Sequence, residues 1–434
     1  MQNRIIGKLL DGDSKEILTK GFSFFIFRIG GLLAGYLFTF LIARFYGASV
    51  NGLVALCFTL FLFVGIFGRL GLDTNLTKYF ANEQNWKNNS GLFYKVLIQS
   101  LVFSSLIALL LYLCKDFFVY SLFKKPDLDP YIVWVVLAIP FWSVTMVCAG
   151  LLRARQKNNW FAFLNNPGRF LLTLIVFVIF IAFSNTPLDT IKSHFYGIVM
   201  LSVIALFVTV RNIGFTYSYS KDVSSWLFIK ESFPMMLSSS ILIFLGWLDT
   251  FFLGIYETES EVGIYSVALK IATMTSLSLQ AINSILAPKL AKYYHDGDLI
   301  QFKKLIQFST RLNFFLTAGI VLSIIVLHRW ILGVFGDEFL KGAGVMIILC
   351  IGQLVNSLSG SVGIILQMTG KQKVYQNIVL LALVVNIILN FILVPFYGTT
   401  GAAVATVVSV SCWNIFGSIY LKKKQNIISY FKPL

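Results

Sequence analysis

Apolar runs of roughly 20 residues, the length that crosses a hydrocarbon core, recur along the chain. Short polar stretches between them hold nearly all of the charge. Twelve runs are read, at 21–43, 50–72, 92–114, 131–152, 166–184, 194–213, 232–255, 262–287, 309–327, 343–366, 376–397 and 401–421. None alternates with period two, so each predicts a helix, which satisfies its backbone groups internally in lipid. The expected fold class is an all-α integral membrane protein of twelve transmembrane helices, with loops too short to form a domain. The fifth run is the weakest, because Pro167 and Arg169 crowd its first turn.

Composition sharpens this picture. Of 434 residues, 57% are apolar, 16% aromatic and only 12% charged, against about one quarter charged in a soluble domain. That excludes a soluble enzyme, a disordered chain and a nucleic-acid binder. The net charge of +16 has another source. If the N-terminus is cytoplasmic, 25 Lys and Arg fall on the cytoplasmic side and 7 on the other, while acidic residues divide 9 to 9. This asymmetry sets orientation in membranes. It places both termini in the cytoplasm of a multi-pass membrane protein.

The first 20 residues mix Arg4, Lys8, Lys15 and Lys20 with Asp11, Asp13 and Glu16, unlike a cleaved signal. Their apolar pairs fit an interfacial amphipathic helix or a solvated tail equally well. The five cysteines lie singly in or beside apolar runs, as packing residues do. His194, His295 and His328 have no ligand-spaced partner. No metal, cofactor or catalytic residue is expected.

The chain repeats itself at an offset of about 211–216 residues. Gly52 and Lys78 bracket the second run as Gly263 and Lys289 bracket the eighth, and Arg155-Gln156-Lys157 answers Lys371-Gln372-Lys373. A six-helix unit present twice in the same sense implies a pseudo-two-fold along the membrane normal. The expected organisation is a cytoplasmic segment 1–20, a bundle 21–213, a linker 214–231, a bundle 232–421 and a basic tail 422–434.

Ionisable side chains inside such runs are costly unless solvated or paired, and mark function. Arg69 is three residues from a span end and can snorkel. Arg28 lies about eight residues, or about 12 Å, into the first run, too deep for easy snorkelling, so a hydrated cavity is expected around it. Asp249 and Lys270 fall at similar depth on adjacent antiparallel helices, where they either pair structurally or line a cavity site. The excess of cations suits a negative ligand. The second half adds Gln280, Asn283, Asn313, Gln353, Asn356, Asn386 and Asn390, amides that more often bond helix to helix. Ser238, Ser239 and Ser240 after Pro234 suggest a bend. The candidate substrate contacts are Arg28, Lys270, Arg69 and Asn283, and Asp249 is the candidate ion-coupling residue.

Asn390 to Thr406 carries Pro395, Gly398 and Gly401-Ala402-Ala403 between the last two helices, after Gly370-Lys371 and Asn386. With Trp247-Leu248-Asp249, Gly254, Gly263-Ile264-Tyr265 and Pro288, this resembles polysaccharide flippases of the Wzx type, in the superfamily of MATE antiporters and lipid II flippases. The resemblance implies a two-lobed, MATE-like transporter moving undecaprenyl-diphosphate-linked oligosaccharide repeat units, such as O-antigen, across the bacterial inner membrane by alternating access. It implies membrane lipids, H+ or Na+ as coupling ion, and a polysaccharide polymerase and chain-length regulator as partners. Span one carries Arg28 and no carboxylate, unlike a MATE drug antiporter, and the chain stops about 13 residues after the twelfth run, short of the longer lipid II flippases. A MATE-type small-molecule antiporter and a membrane-bound polymerase or ligase are the competing expectations.

Overall fold

The computed structural model describes residues 12–184, 186–214, 218 and 225–433, with side chains of the first helix from Ile26 onward. The amphipathic reading of residues 1–20, and most of the linker 214–231, lie outside the described side chains. The regular structure among the described residues is helical: α1 (Gly12–Arg69), α2 (Leu72–Phe80), α3 (Glu83–Asn89), α4 (Gly91–Leu113), α5 (Asp129–Ala154), α6 (Asn158–Asn165), α7 (Pro167–Phe183), α8 (Asp189–Ile213), α9 (Ser225–Tyr256), α10 (Glu259–Met274), α11 (Leu277–His295), α12 (Leu299–Phe335), α13 (Ala343–Ser359), α14 (Val362–Met368) and α15 (Gln372–Gln425). A π-helical turn and two 3-10 turns fill short connections.

Among the described residues eight helical stretches are long and apolar enough to cross a membrane, or ten if each of two bent pairs is one span. The two longest stretches, in α1 and α15, each contain one non-helical residue, Gly47 (φ 79°) and Gly398 (φ 54°). Both breaks fall in gaps the apolar pattern leaves between spans. Side chains such as Phe183, Trp330 and Phe396 are 86%, 71% and 81% exposed, which is the surface a lipid solvent requires.

The fifth span, expected at 166–184, is helix α7 (Pro167–Phe183), and a short helix precedes it. Helix α6 begins at Asn158, and α6 and α7 reach a crossing length only together, bent by 52°. The cause is local. Pro167 disfavours helical backbone at the residue before it, and Asn166 sits at φ −121°, ψ −85°. The proline separates the two helices, and Arg169 lies buried in the first turn of α7.

The chain forms two compact units. One, here the N unit, is Gly30–Val267 with Val334–Phe339; the other, the C unit, is Met1–Ile29, Ala268–Gly333 and Leu340–Leu434.

Within the N unit the start of the α1 stretch after Gly47 crosses the start of α10 at two glycines. A Cβ on Gly52 would overlap the carbonyl oxygen of Glu259, and a Cβ on Gly263 the carbonyl oxygen of Ala48. Each would also stand 3.0 Å from the other glycine's nitrogen. Only glycine permits so close an approach of two backbones. Asn51 fastens the crossing, its Nδ2 donating to the Gly263 carbonyl at 3.0 Å and to Ser266 Oγ at 2.9 Å. Nearby, Glu338 Oε1 accepts from the Ala48 N–H at 2.6 Å, placing a carboxylate on a helix N-terminus where the dipole favours it.

The C unit has a buried core of Leu286, Leu290, Phe302, Ile306, Val362, Ile365, Leu366, Leu421 and Ile427. After α15, residues 426–433 fold back along the unit. Thr310 Oγ1 donates to Ser429 O at 2.9 Å, Gln307 Nε2 to Ile428 O at 2.6 Å and Arg311 Nε to Lys432 O at 3.0 Å. The Phe431 N–H donates to Leu358 O at 2.7 Å. That last bond serves a carbonyl at the end of α13, where the helix breaks at Gly360 (φ 73°) and its final acceptors lose their intrahelical donors.

Candidate functional site: polar groups within the apolar helices

Arg28 is exposed and, among the described residues, has no hydrogen-bond or ion-pair partner. Arg69 has one: it meets Asp73 at 3.3 Å, one turn on, so its charge is shared with a carboxylate rather than offered whole to a ligand. Leu70 and Gly71 adopt positive φ just beyond it, and α2 is tied to α9 by Asn75, whose Nδ2 donates to Phe228 O and Ser232 Oγ.

Asp249 on α9 is buried, 3% exposed, and accepts from the Tyr265 hydroxyl of α10 at 2.9 Å. Lys270 is half-buried further along α10, in the part that belongs to the C unit. Asn283 on α11 is half-buried in the C unit, and its Oδ1 accepts from Ser361 Oγ at 2.5 Å. Several other amides bond within or between helices, as expected of this residue type. Asn414 Nδ2 reaches Asn356 Oδ1 at 2.9 Å, Asn386 Nδ2 reaches Ser409 Oγ at 3.1 Å, and Ser278 joins Asn313 and Thr317. Ser238 Oγ donates to the Pro234 carbonyl at 3.0 Å.

A second charged centre escaped the sequence reading. Arg169, 8% exposed, lies in the N unit with its guanidinium 4.8–4.9 Å from the rings of Phe58, Phe61 and Phe170 and 5.8 Å from Trp142. Cation–π attraction of this kind strengthens when the site is dry. Arg169 Nε donates to His194 Nε2 at 2.9 Å, which requires a lone pair there and puts the imidazole proton on Nδ1. His194 is itself packed against Phe58 and Phe61, at 4.7 and 5.0 Å. Arg169 Nη2 is buried with no hydrogen-bond partner. The guanidinium thus sits in an aromatic box with one neutral acceptor. The sequence signal was present in the polar Lys157-Asn158-Asn159 start and the apolar Trp160–Leu164 run before Pro167.

At the ends of the N-unit helices, Lys125 joins two loops. Only 5% exposed, it donates from Nζ to Glu257 O at 2.6 Å and to Phe123 O at 3.2 Å. Burial pushes its ammonium below the usual lysine range, with Glu259 and Glu257 opposing. Burial also raises the Glu257 carboxyl, with Glu261 adding to the rise and Lys125 opposing it.

The polysaccharide biosynthesis protein family model matches residues 15–294, well over half of the chain. The chain belongs to the polysaccharide biosynthesis protein family. The MatE family model also matches residues 234–392. Among curated relatives, the probable low-salt glycan biosynthesis flippase Agl15 of Haloferax volcanii is 31% identical over 41% of this chain and 38% of its own length. The capsular polysaccharide biosynthesis protein CapF of Staphylococcus aureus is 27% identical over 55% of this chain and 61% of its own. The matched stretches therefore span about two fifths to three fifths of those relatives. Among solved structures, the lipid II flippase MurJ in an inward closed conformation is similar with TM-score 0.75 at 16% identity, over 93% of this chain and 87% of that one. This family member therefore has the fold that MurJ has, with several apolar helices that make it a multi-pass membrane protein.

Proposed function

We propose that the protein is a flippase that carries undecaprenyl-diphosphate-linked oligosaccharide repeat units from the inner to the outer leaflet of the plasma membrane. It works by alternating access, driven by a proton or sodium gradient, and catalyses no covalent step. The observation that carries this reading is membership of the polysaccharide biosynthesis family on a chain with the fold of a lipid flippase. Flippases named among its relatives support it. In this reading twelve spans form two six-helix bundles, 21–213 and 232–421, with both termini cytoplasmic and a pseudo-two-fold along the membrane normal. The reciprocal crossing of Gly52 and Gly263, residues that open corresponding spans, supports that symmetry.

A lipid diphosphate needs cations in a place that water can reach, because a charge deep in hydrocarbon is otherwise too costly. Arg28, exposed and unpaired among the described residues, and Lys270 are assigned to it. Arg69 contributes less, having Asp73 as partner. Asn283 is assigned to the uncharged part of the substrate. Asp249, buried beside the Tyr265 hydroxyl, is assigned the coupling ion.

Deleting the protein should strand the lipid-linked repeat unit on the cytoplasmic face, scored by leaflet-specific labelling of the sugar. Arg28→Ala should reproduce that defect at normal membrane abundance. An unchanged leaflet distribution on deletion would overturn the flippase reading, and full polysaccharide export by Arg28→Ala would overturn the role of that residue alone. A second reading, a MATE-type small-molecule antiporter, is favoured by the MatE match over 234–392, which contains Asp249. Drug efflux that is abolished by Asp249→Asn would establish it instead.

A further inference from the structure

The break between α13 and α14 opens a cavity of about 150 Å³ inside the C unit, lined among others by Asn283, Gly360, Ser361, Gln367, Tyr375 and Trp413. Non-helical backbone at membrane depth is tolerated where protein covers it or where it lines a polar space. Here both conditions are met. The tail's Phe431 N–H takes the Leu358 carbonyl, while Gly360 and Ser361 face the cavity.

Its walls have an unusual chemistry for a helix bundle. Trp413 and Tyr375 meet edge to face, ring centres 6.2 Å apart at 77°. Tyr375 lies over the break because the helix offers it Gly363, where a Cβ would come within 3.0 Å of the ring. Ser361 occupies only the Oδ1 of Asn283. Among the described residues nothing accepts from Asn283 Nδ2, and the Gln367 amide, the Tyr375 hydroxyl and the Trp413 indole N–H have no protein partner. The cavity therefore offers two aromatic surfaces and several unspent planar or hydroxyl hydrogen-bonding groups, and no charged residue lines it. An apolar metabolite would leave the amides unpaired, which is costly. An ion would find no opposite charge. A pyranose ring answers both features, presenting a C–H face to an aromatic and a rim of hydroxyls to amides.

Position agrees with chemistry. Asn283 stands six residues before Lys289, about 9 Å by helix rise, Tyr375 follows Lys373, and Trp413 precedes the Lys422-Lys423-Lys424 run by about two turns. Tyr375 is at the lysine-bearing start of α15, and Asn283 and Trp413 lie within three turns of lysines on their helices, toward the side that the charge asymmetry makes cytoplasmic. We propose that this cavity is a saccharide subsite that reads one sugar ring of the lipid-linked oligosaccharide on the loading side. The inference rests on the flippase reading above and adds to it where the sugar, as distinct from the diphosphate, is recognised.

Binding to the full-length protein in nanodiscs tests it, using undecaprenyl diphosphate alone and the same lipid bearing glucose, galactose, N-acetylglucosamine or N-acetylgalactosamine. At least one sugar-bearing lipid should bind wild type about ten-fold more tightly than the bare diphosphate lipid, the increment expected of one stack and a hydrogen bond. Trp413→Leu and, separately, Gln367→Ala should abolish that increment while leaving undecaprenyl diphosphate binding unchanged. The unchanged bare-lipid affinity also shows that the variants are folded. Retention of the increment by both variants would overturn the subsite, as would its absence for all four sugars with bare-lipid binding intact, and either result leaves the flippase reading standing. Failure of wild type to bind any of the five lipids would overturn both.

Discussion

Gly52 and Gly263 stand at a crossing so close that a Cβ on either would come within 3.0 Å of the other's backbone nitrogen. The obstacle to a Cβ at Gly52 is the carbonyl of Glu259, and the obstacle at Gly263 is the carbonyl of Ala48. Ala48 and Glu259 are separated by the same number of residues as the two glycines. The contact is thus its own mirror under the internal repeat, as a two-fold crossing must be. It also gives a physical reason for glycine at both positions that repeat spacing by itself does not.

Substituting either glycine should therefore be severe and equal. Gly52→Ala and Gly263→Ala each put a methyl group onto a carbonyl oxygen, an overpacking that costs about 1–3 kcal/mol and more where backbone cannot yield. Thermal unfolding in detergent should show similar losses for the two single variants. The double variant should lose less than the sum, because the backbones separate only once. Strict additivity would contradict a shared crossing.

Asn51 should matter through its amide rather than its bulk. Asn51→Leu keeps the volume but removes the donor that bonds both Ser266 Oγ and the Gly263 carbonyl. The carbonyl keeps the Ser266 hydroxyl, so the loss is about 1 kcal/mol, that of a net hydrogen bond. Stability of Asn51→Leu equal to wild type in the same unfolding assay would show that the bonds carry no net weight.

Arg169 separates charge from volume. Its acceptor, His194, is neutral, so removing the guanidinium strands no opposite charge. Arg169→Met should then be near neutral or stabilising, as replacement of a buried ionic group by a matched apolar one often is. Arg169→Ala should lose about 3 kcal/mol through the cavity left among Phe58, Phe61, Phe170 and Trp142. Equal losses for Met and Ala, measured by thermal unfolding, would mean that the cation–π attraction dominates.

The Lys125 and Glu257 loops carry a pH signature. The Glu257 carboxyl is raised in the folded protein by burial, so the folded state holds its proton more tightly than the unfolded state. The resulting contribution is present at acid pH and is lost as pH rises through the folded value. Glu257→Gln should match wild type below the ordinary glutamate range. Above the folded value it should be slightly the more stable of the two, solvent screening keeping the gain small at a partly exposed group. Lys125→Met removes the cation that opposes the rise and should move the Glu257 transition to higher pH. A melting-temperature profile between pH 4 and 8 tests both signs, and a Glu257→Gln curve parallel to wild type would refute them.

What the sequence made legible follows from how strongly each feature depends on local pattern. Helical spans announce themselves because lipid admits few alternatives, and the α1 and α15 breaks at Gly47 and Gly398 fall where the apolar pattern leaves gaps. At the fifth span the pattern marks the helix that begins at Pro167 but not the short helix before it, and nothing in it shows the burial of Arg169. Its partnership with His194 joins residues 25 apart through tertiary packing alone. The Asp73 partner of Arg69 is within reach of an i, i+4 reading, which weighing Arg69 as a snorkelling side chain or substrate contact leaves aside. Asn283 stands out as polar in an apolar run, but nothing in the pattern joins it to the Trp413 and Tyr375 rings beside it.

The return of residues 426–433 along α12 and α13 has a practical bearing on any reporter attached to this protein. Backbone carbonyls and amides there are engaged as far as Lys432, so a fluorescent or affinity fusion joined directly at that point would hang from a segment that is structural rather than slack. A flexible spacer would be needed to keep the weight of the fusion from peeling Phe431 off Leu358 and uncovering the helix break that bond protects.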